Sequence, residues 1–142
     1  MVRSVKPAGD ERTPDGAAQA ETGPPREQLM STSTDERADA VVLLVEGEID
    51  GLTAPRLRAA IDAAFERLNG RVLVLDLTQV EFLGSAGLRA LLDSAAEAMR
   101  LDGYQPLRVV VDENRPVVRP IEIVGLDNVL ALYDSVSDAL AA

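Results

Sequence analysis

The chain has no cysteine, no histidine and no tryptophan, and aromatic residues make up only 3% of it. Without cysteine there are no disulfides and no thiolate metal sites. Without histidine, Ser-His-Asp and Cys-His catalysis are excluded together with the commonest zinc ligands, so no metal, no cofactor and no enzymatic activity are expected. Few aromatics mean that the core must rest on Val, Leu, Ile and Ala. No apolar run approaches the roughly 20 residues of a membrane span, and the N-terminus lacks the apolar stretch of a signal peptide, so a cytoplasmic protein is expected. Basic charge is scarce too. The formal net charge is −10, and residues 39–142, with 9 basic and 17 acidic side chains, carry −8 of it. Such an acidic body repels phosphate backbones and anionic headgroups, which excludes nucleic acid and membrane surfaces as partners.

What is present suits one domain with a tail: 142 residues, 46% of them apolar. Residues 1–27 hold Pro7, Pro14, Pro24 and Pro25, several glycines and few large apolar side chains. That composition buries too little surface to offset its ordering entropy, so a disordered tail is expected there and a folded domain over 28–142. Residues 28–34 carry β-compatible threonines and fit an edge strand. AVVLLVEG (40–47) is a continuous apolar run ending at glycine, the signature of a strand covered on both faces. Thr53 is the expected N-cap of a helix with Pro55 in its first turn, and Leu57, Ala60, Ile61, Ala64 and Leu68 follow at helical spacing up to the Asn69-Gly70 stop. RVLVLDL (71–77) is a second such strand, expected to end at Leu77. After a short loop, a helix from Ser85 is expected to bury Leu88, Leu91, Leu92, Ala95 and Met99 and to stop at Gly103. LRVVVD (107–112) is a third strand, 116–124 a short helix in which Pro120 belongs at the start, and VLALY (129–133) a last strand. Ser135 caps a C-terminal helix. Strands alternating with helices in this way imply βαβ units, an α/β class and a largely parallel sheet.

Function in such sheets gathers at strand C-termini, here the loops 47–53, 78–87 and 112–116. Glu48 and Asp50 in the first have no partner base and read as a solvated acidic loop. Asp76, two residues before Thr78, reads as a structural acceptor for nearby backbone amides. The G-x-x-x-x-G-K-[ST] phosphate loop is absent, and Gly84 and Gly87 are too close together for a dinucleotide fingerprint.

Gly84-Ser85-Ala86-Gly87 remains. In one reading Gly84 permits a tight turn, Ser85 caps the helix, and the small residues admit a close neighbour. In the other, the same small neighbours leave the Ser85 hydroxyl open to a kinase. A phosphate there adds roughly −1.5 to −2 charge without melting the helix, whose N-terminus favours an anion by about 0.3–1 kcal/mol. Spacing alone leaves both readings open.

GEID followed by T-A-P-x-L (47–57), LDLTQVEFLGSAGLRALL (75–92) and IVGLDNVLALYDS (123–135) together resemble the STAS family and, more narrowly, bacterial anti-sigma factor antagonists. The similarity runs in order from about residue 28 to 142. It implies a single STAS-like α/β domain, with a mixed, mostly parallel sheet of about four to five strands packed with about four helices. It further implies a protein that binds an anti-sigma factor with serine kinase activity and frees the sigma factor. Phosphorylation of a serine in the D-S-[SA]-G-L segment turns such a protein off, and a serine phosphatase restores it. By that match Ser85 is the phosphoacceptor, and Ala86, Gly87 and Leu88 occupy the following motif positions. Gly84 stands where the family usually carries aspartate, a departure that removes a negative charge and a capping oxygen beside the acceptor. The implied docking face joins Asp50, Gly51, Leu52 and Thr53 to Gly84, Ala86, Gly87 and Arg89, with Arg89 one turn from the acceptor. The same family resemblance also admits a scaffold or accessory subunit of a stress-signalling complex or of a transporter.

Overall fold

The two continuous apolar runs become central strands of a five-stranded sheet in the computed structural model, which describes residues 29–101 and 106–142. The strands are Met30–Glu36 (β1), Ala40–Ile49 (β2), Val72–Leu83 (β3), Leu107–Val110 (β4) and Leu130–Tyr133 (β5), and they lie side by side in chain order. β1 pairs antiparallel with β2, and every other pairing is parallel. The helices are Ala54–Glu66 (α1), Ser85–Leu101 (α2), Val118–Ile123 (α3) and Val136–Ala141 (α4), with a 3-10 turn at Leu126–Asn128. The tail expected over 1–27 and the helix stop expected at Gly103 lie outside the described residues. Among the described residues no helix is long and apolar enough to cross a membrane.

Side-chain alternation divides the core between the two faces of the sheet. Val41, Leu43, Val45, Leu73, Leu75, Leu77 and Val109 join the buried residues of α1, α2 and α3 in the main core. Val42, Val74 and Val110 point the other way, where Ala139 of α4 covers them. Arg108 fastens that helix by donating from Nη1 to the Ala139 carbonyl at 2.8 Å. Ser135 caps α4 as expected, its hydroxyl accepting from the Asp138 N–H at 3.0 Å. Pro120 is the third residue of α3, inside the first turn, where its missing N–H leaves no bond unmade.

Three expectations are corrected. First, β3 does not stop at Leu77 but runs on to Leu83. Its register against β2 shifts between Leu44 and Glu46 and again between Gly47 and Glu48, and each shift inserts one extra residue into β3. Buried positions beyond Leu77 therefore fall at Val80 and Leu83, which breaks the two-residue period of an unbulged strand. Second, β2 extends through Ile49, so Gly47 and Glu48 are strand rather than loop. Third, the buried face of α2 is only partly the expected one: Leu91 and Ala95 are buried and Leu88 packs against the core as expected, but Leu92 and Met99 do not. Gly87, Ala90, Leu91, Ser94, Ala95 and Ala98 are buried, while Leu92 and Met99 stay 43% and 38% exposed. A stripe of small residues lets the helix lie close against its neighbours, and the larger side chains move to its flank.

Arg71 ties three segments together. Its Nε donates to the Leu68 carbonyl (2.9 Å), Nη1 to the Arg37 carbonyl (3.2 Å), and Nη2 to the Arg67 carbonyl (2.6 Å) and Glu36 Oε1 (3.2 Å). The end of α1 is thereby locked to the β1–β2 turn just as Asn69 (φ 48) and Gly70 (φ 88) reverse the chain into β3. Replacing Arg71 by Ala is expected to lower stability by about 1–3 kcal/mol in urea titration, with Lys restoring only part because it lacks the planar fork. Ser94 presents the opposite case: it is fully buried and its hydroxyl has no hydrogen-bond partner among the described residues. Ser94→Ala removes an unsatisfied group and improves helix propensity, so its urea midpoint should rise by the equivalent of about 1 kcal/mol with unchanged slope.

Candidate functional site

The parallel pairing of β2 and β3 brings their C-terminal ends together, with Ile49 opposite Leu83. The Gly84 N–H donates to the Ile49 carbonyl at 2.9 Å, so the sheet ladder continues up to the residue before α2. Only Gly84 separates strand from helix. Ser85 is therefore the first helical residue rather than the cap. The flanking position falls to Gly84, whose carbonyl accepts the Leu88 N–H at 3.0 Å. Ser85 is exposed, and its hydroxyl makes no hydrogen bond among the described residues.

Two glycines make this junction sterically possible. A Cβ at Gly87 would lie 2.5 Å from Leu83 Cδ1 and 2.6 Å from Ile49 Cγ2, so any side chain there would push α2 off the strand ends. A Cβ at Gly84 would meet the Phe82 ring at 3.1 and 3.3 Å. Phe82 is half exposed and can turn aside, so position 84 admits a side chain where position 87 does not.

The neighbouring β2–α1 loop is built on a reciprocal pair. The Asp50 N–H donates to Thr53 Oγ1 at 2.8 Å, while Asp50 Oδ1 accepts from the N–H groups of Leu52 (3.0 Å) and Thr53 (3.1 Å). Thr53 Oγ1 also donates to the Glu48 carbonyl at 2.9 Å, and the Ala54 N–H reaches the Asp50 carbonyl. This is the logic of a capping box with Asp50 at its head. The cap role expected of Thr53 thus belongs to Asp50: Thr53 is already in helical conformation, offers no side-chain cap, and is fully buried. Leu52 is carried outward at the loop tip, about half exposed, and Gly51 is open to solvent.

The structure therefore brings the residues of the implied docking face to one sheet edge, but not all to its surface. Ser85, Arg89, Gly51 and Leu52 are exposed, Asp50, Gly84 and Ala86 are half-buried, and Thr53 and Gly87 are buried and shape the loop and the helix approach. Arg89 reaches Asp93 on its own helix at 3.4 Å. Asp76 plays the structural part expected of it, accepting from the Thr78 N–H (2.9 Å) and hydroxyl (2.7 Å). The 112–116 loop is a turn closed on Asp112, whose carboxylate takes the Asn114 N–H.

One feature of the site escaped the sequence. A groove of about 430 Å³ opens beside Ser85, lined by Leu88, Arg89, Leu92, Val124, Leu126 and Val129. Leu92 and Val129 are only partly covered and Val124 is more than half exposed. The available signal was the run of small residues in α2, which compete for the inward face and displace Leu92 to the groove.

Chemically, the arrangement offers an open hydroxyl next to an apolar surface and nothing to activate it. The nucleophile–base hydrogen bond that an acting serine requires is absent among the described residues. Among the same residues, no group of three or more His, Cys, Asp or Glu side chains is placed to hold a metal.

The STAS domain family profile matches residues 31–139, from β1 into α4. The anti-sigma-F factor antagonist RsfB of Mycobacterium tuberculosis is 40% identical over 99 residues, spanning 70% of this chain and 77% of that protein. The anti-sigma-B factor antagonist of Listeria monocytogenes is 31% identical, over 66% of this chain and 79% of its own length. Among solved structures, an anti-sigma factor antagonist from Mycobacterium paratuberculosis superposes with a TM-score of 0.64 at 34% identity, covering 79% of this chain and 92% of that one. Five strands in this order, the strand–glycine–helix junction and these likenesses lead to one conclusion: the chain belongs to the STAS domain family.

Proposed function

We propose that this chain is an anti-sigma factor antagonist, which binds an anti-sigma factor with serine kinase activity, releases its sigma factor, and is switched off by phosphorylation of Ser85. The observation that carries this reading is the placement of Ser85: an exposed hydroxyl with no hydrogen bond among the described residues, between the Asp50–Thr53 loop and an apolar groove, in a chain similar to proteins named anti-sigma factor antagonists. The kinase supplies the chemistry that the site lacks. The γ-phosphoryl group of its ATP passes to Ser85 Oγ, the hydroxyl proton goes to a kinase base, and ADP leaves. A serine phosphatase reverses the change by transferring the group to water.

Binding in this reading uses two apolar contacts on either side of Ser85. Leu52 and the open backbone of Gly51 lie on one side, and the groove with Arg89 lies on the other. Asp50, Thr53, Gly84, Ala86 and Gly87 act by fixing loop shape and the depth of α2. Phosphate would then fall in the middle of a surface that must be desolvated on docking, where an uncompensated charge costs several kcal/mol.

Ser85→Asp should weaken the complex with the cognate kinase-type anti-sigma factor by about 100-fold or more in calorimetry, while Ser85→Ala binds normally and takes up no phosphate. Equal affinity of the Ser85→Asp form would sink the switch. Affinity purification that recovers a transporter ATPase and no anti-sigma factor would replace this reading with that of an accessory subunit. Gly84→Asp tests the missing carboxylate. Stability should change by only a few tenths of a kcal/mol, because glycine is itself a tolerable cap, while single-turnover phosphorylation of Ser85 by the kinase speeds up.

A further inference from the structure

Among the described residues, Arg89 is the only charged one lining the groove beside Ser85. Its present partner is poor. The Arg89–Asp93 contact is 3.4 Å long between side chains 75% and 48% exposed, and it runs base-before-acid along the helix, the weaker of the two i,i+4 orders. Ser85 stands four residues before Arg89, so an anion on Ser85 would form the acid-before-base pair, the stronger order. A phosphate also outweighs Asp93, with roughly −1.5 to −2 charge and three acceptor oxygens that suit the guanidinium fork. Residues 85 and 93 are separated by roughly 12 Å of helix rise, so one guanidinium cannot serve both at short range. Nearby elements supply little competition: Glu48, Asp50, Glu81 and Asp127 are acidic, Arg56 donates to the Met30 carbonyl, and Arg119 and Glu122 of α3 do not line the groove.

We propose that Arg89 is the phosphate-receiving residue of this site, leaving Asp93 on phosphorylation of Ser85 and crossing the groove mouth to pair with the phosphate. This rests on the reading of Ser85 as the phosphoacceptor and says what the modification does next. Before phosphorylation the docking surface is apolar with one cation turned along the helix. Afterwards that cation is consumed in an internal pair, and a charged, hydrated bridge lies over Leu88 and Leu92. The partner loses both an anchor and access to the groove without any change of fold.

The test needs no kinase. Phosphoserine is placed at position 85 of the full chain by genetic encoding, and its second ionisation is followed by phosphorus NMR together with the Arg89 Nε–H signal. Arg89→Gln should raise the ionisation midpoint by about 0.3 pH units, while Arg100→Gln, at the far end of α2, leaves it in place. The Arg89 Nε–H signal should move in step with the phosphate titration and cease to respond to Asp93→Asn. The same midpoint in Arg89→Gln as in the parent, or an Arg89 signal indifferent to the phosphate, would overturn the role of Arg89 and leave Ser85 as acceptor. Failure of the kinase to modify Ser85 would instead overturn the acceptor reading, whatever the NMR result.

Discussion

The functional edge depends on how closely the head of α2 approaches the ends of β2 and β3. At Gly87 there is no room for even a methyl group against Ile49 and Leu83, and the Gly84 N–H is spent on the Ile49 carbonyl. Together these contacts start the helix one residue after the strand ends. A chain turned that sharply has no slack with which to tuck its first helical side chain inward, so Ser85 faces solvent. Ile49 serves both halves of the site, since the residue after it is Asp50, the head of the capping box that shapes the second loop.

The same close approach accounts for the groove. Gly87, Ala90, Ser94 and Ala98 occupy the inward stripe of α2, where longer side chains would hold the helix away from its neighbours. Leu92 is displaced outward, with Val124 and Val129 across from it. Full burial of a leucine is worth about 1.5–3 kcal/mol, and much of that is forgone here in the free chain. A partner that covers the groove recovers it. Apolar surface left open by a packing constraint next to a modifiable hydroxyl is what a controllable docking face requires.

Much of this was legible in the sequence, and the parts that were not share one cause. Most of β2, the first half of β3, the body of α1, the turn at Asn69-Gly70 and the cap at Ser135 follow from local patterns, because each depends on neighbours within a turn or on a regular period. The second half of β3 does not, since its two register shifts are imposed by pairing with β2 and leave no mark in a two-residue period. Thr53 is the expected cap and Asp50 a solvated acid, because both are good capping residues three positions apart; the Leu52 and Thr53 N–H bonds to Asp50 Oδ1 and the Thr53 hydroxyl's bond to the Glu48 carbonyl decide for Asp50. The buried face of α2 departs from expectation at Leu92 and Met99, because size ranks them above alanine, whereas the surface beneath the helix rewards smallness there. Ser85 falls at the head of α2 on helical spacing alone, but its exposure and the groove beside it come from tertiary packing.

In the proposed function, a phosphate on Ser85 acts very unequally on the free protein and on its complex. In the free chain the group is solvated, screened over about 8 Å at physiological salt, and favoured by the helix N-terminus by about 0.3–1 kcal/mol. The acidic body pushes back, yet exposed charges in water contribute little, so the domain stays folded in either state. In a complex the same group is cut off from water against a partner surface shaped for a hydroxyl, and the penalty reaches several kcal/mol. The difference between these two figures sets the strength of the switch. The proposed switch requires no change of fold, only a serine at the surface of a helix packed tightly on the strand ends and an Arg89 side chain that turns.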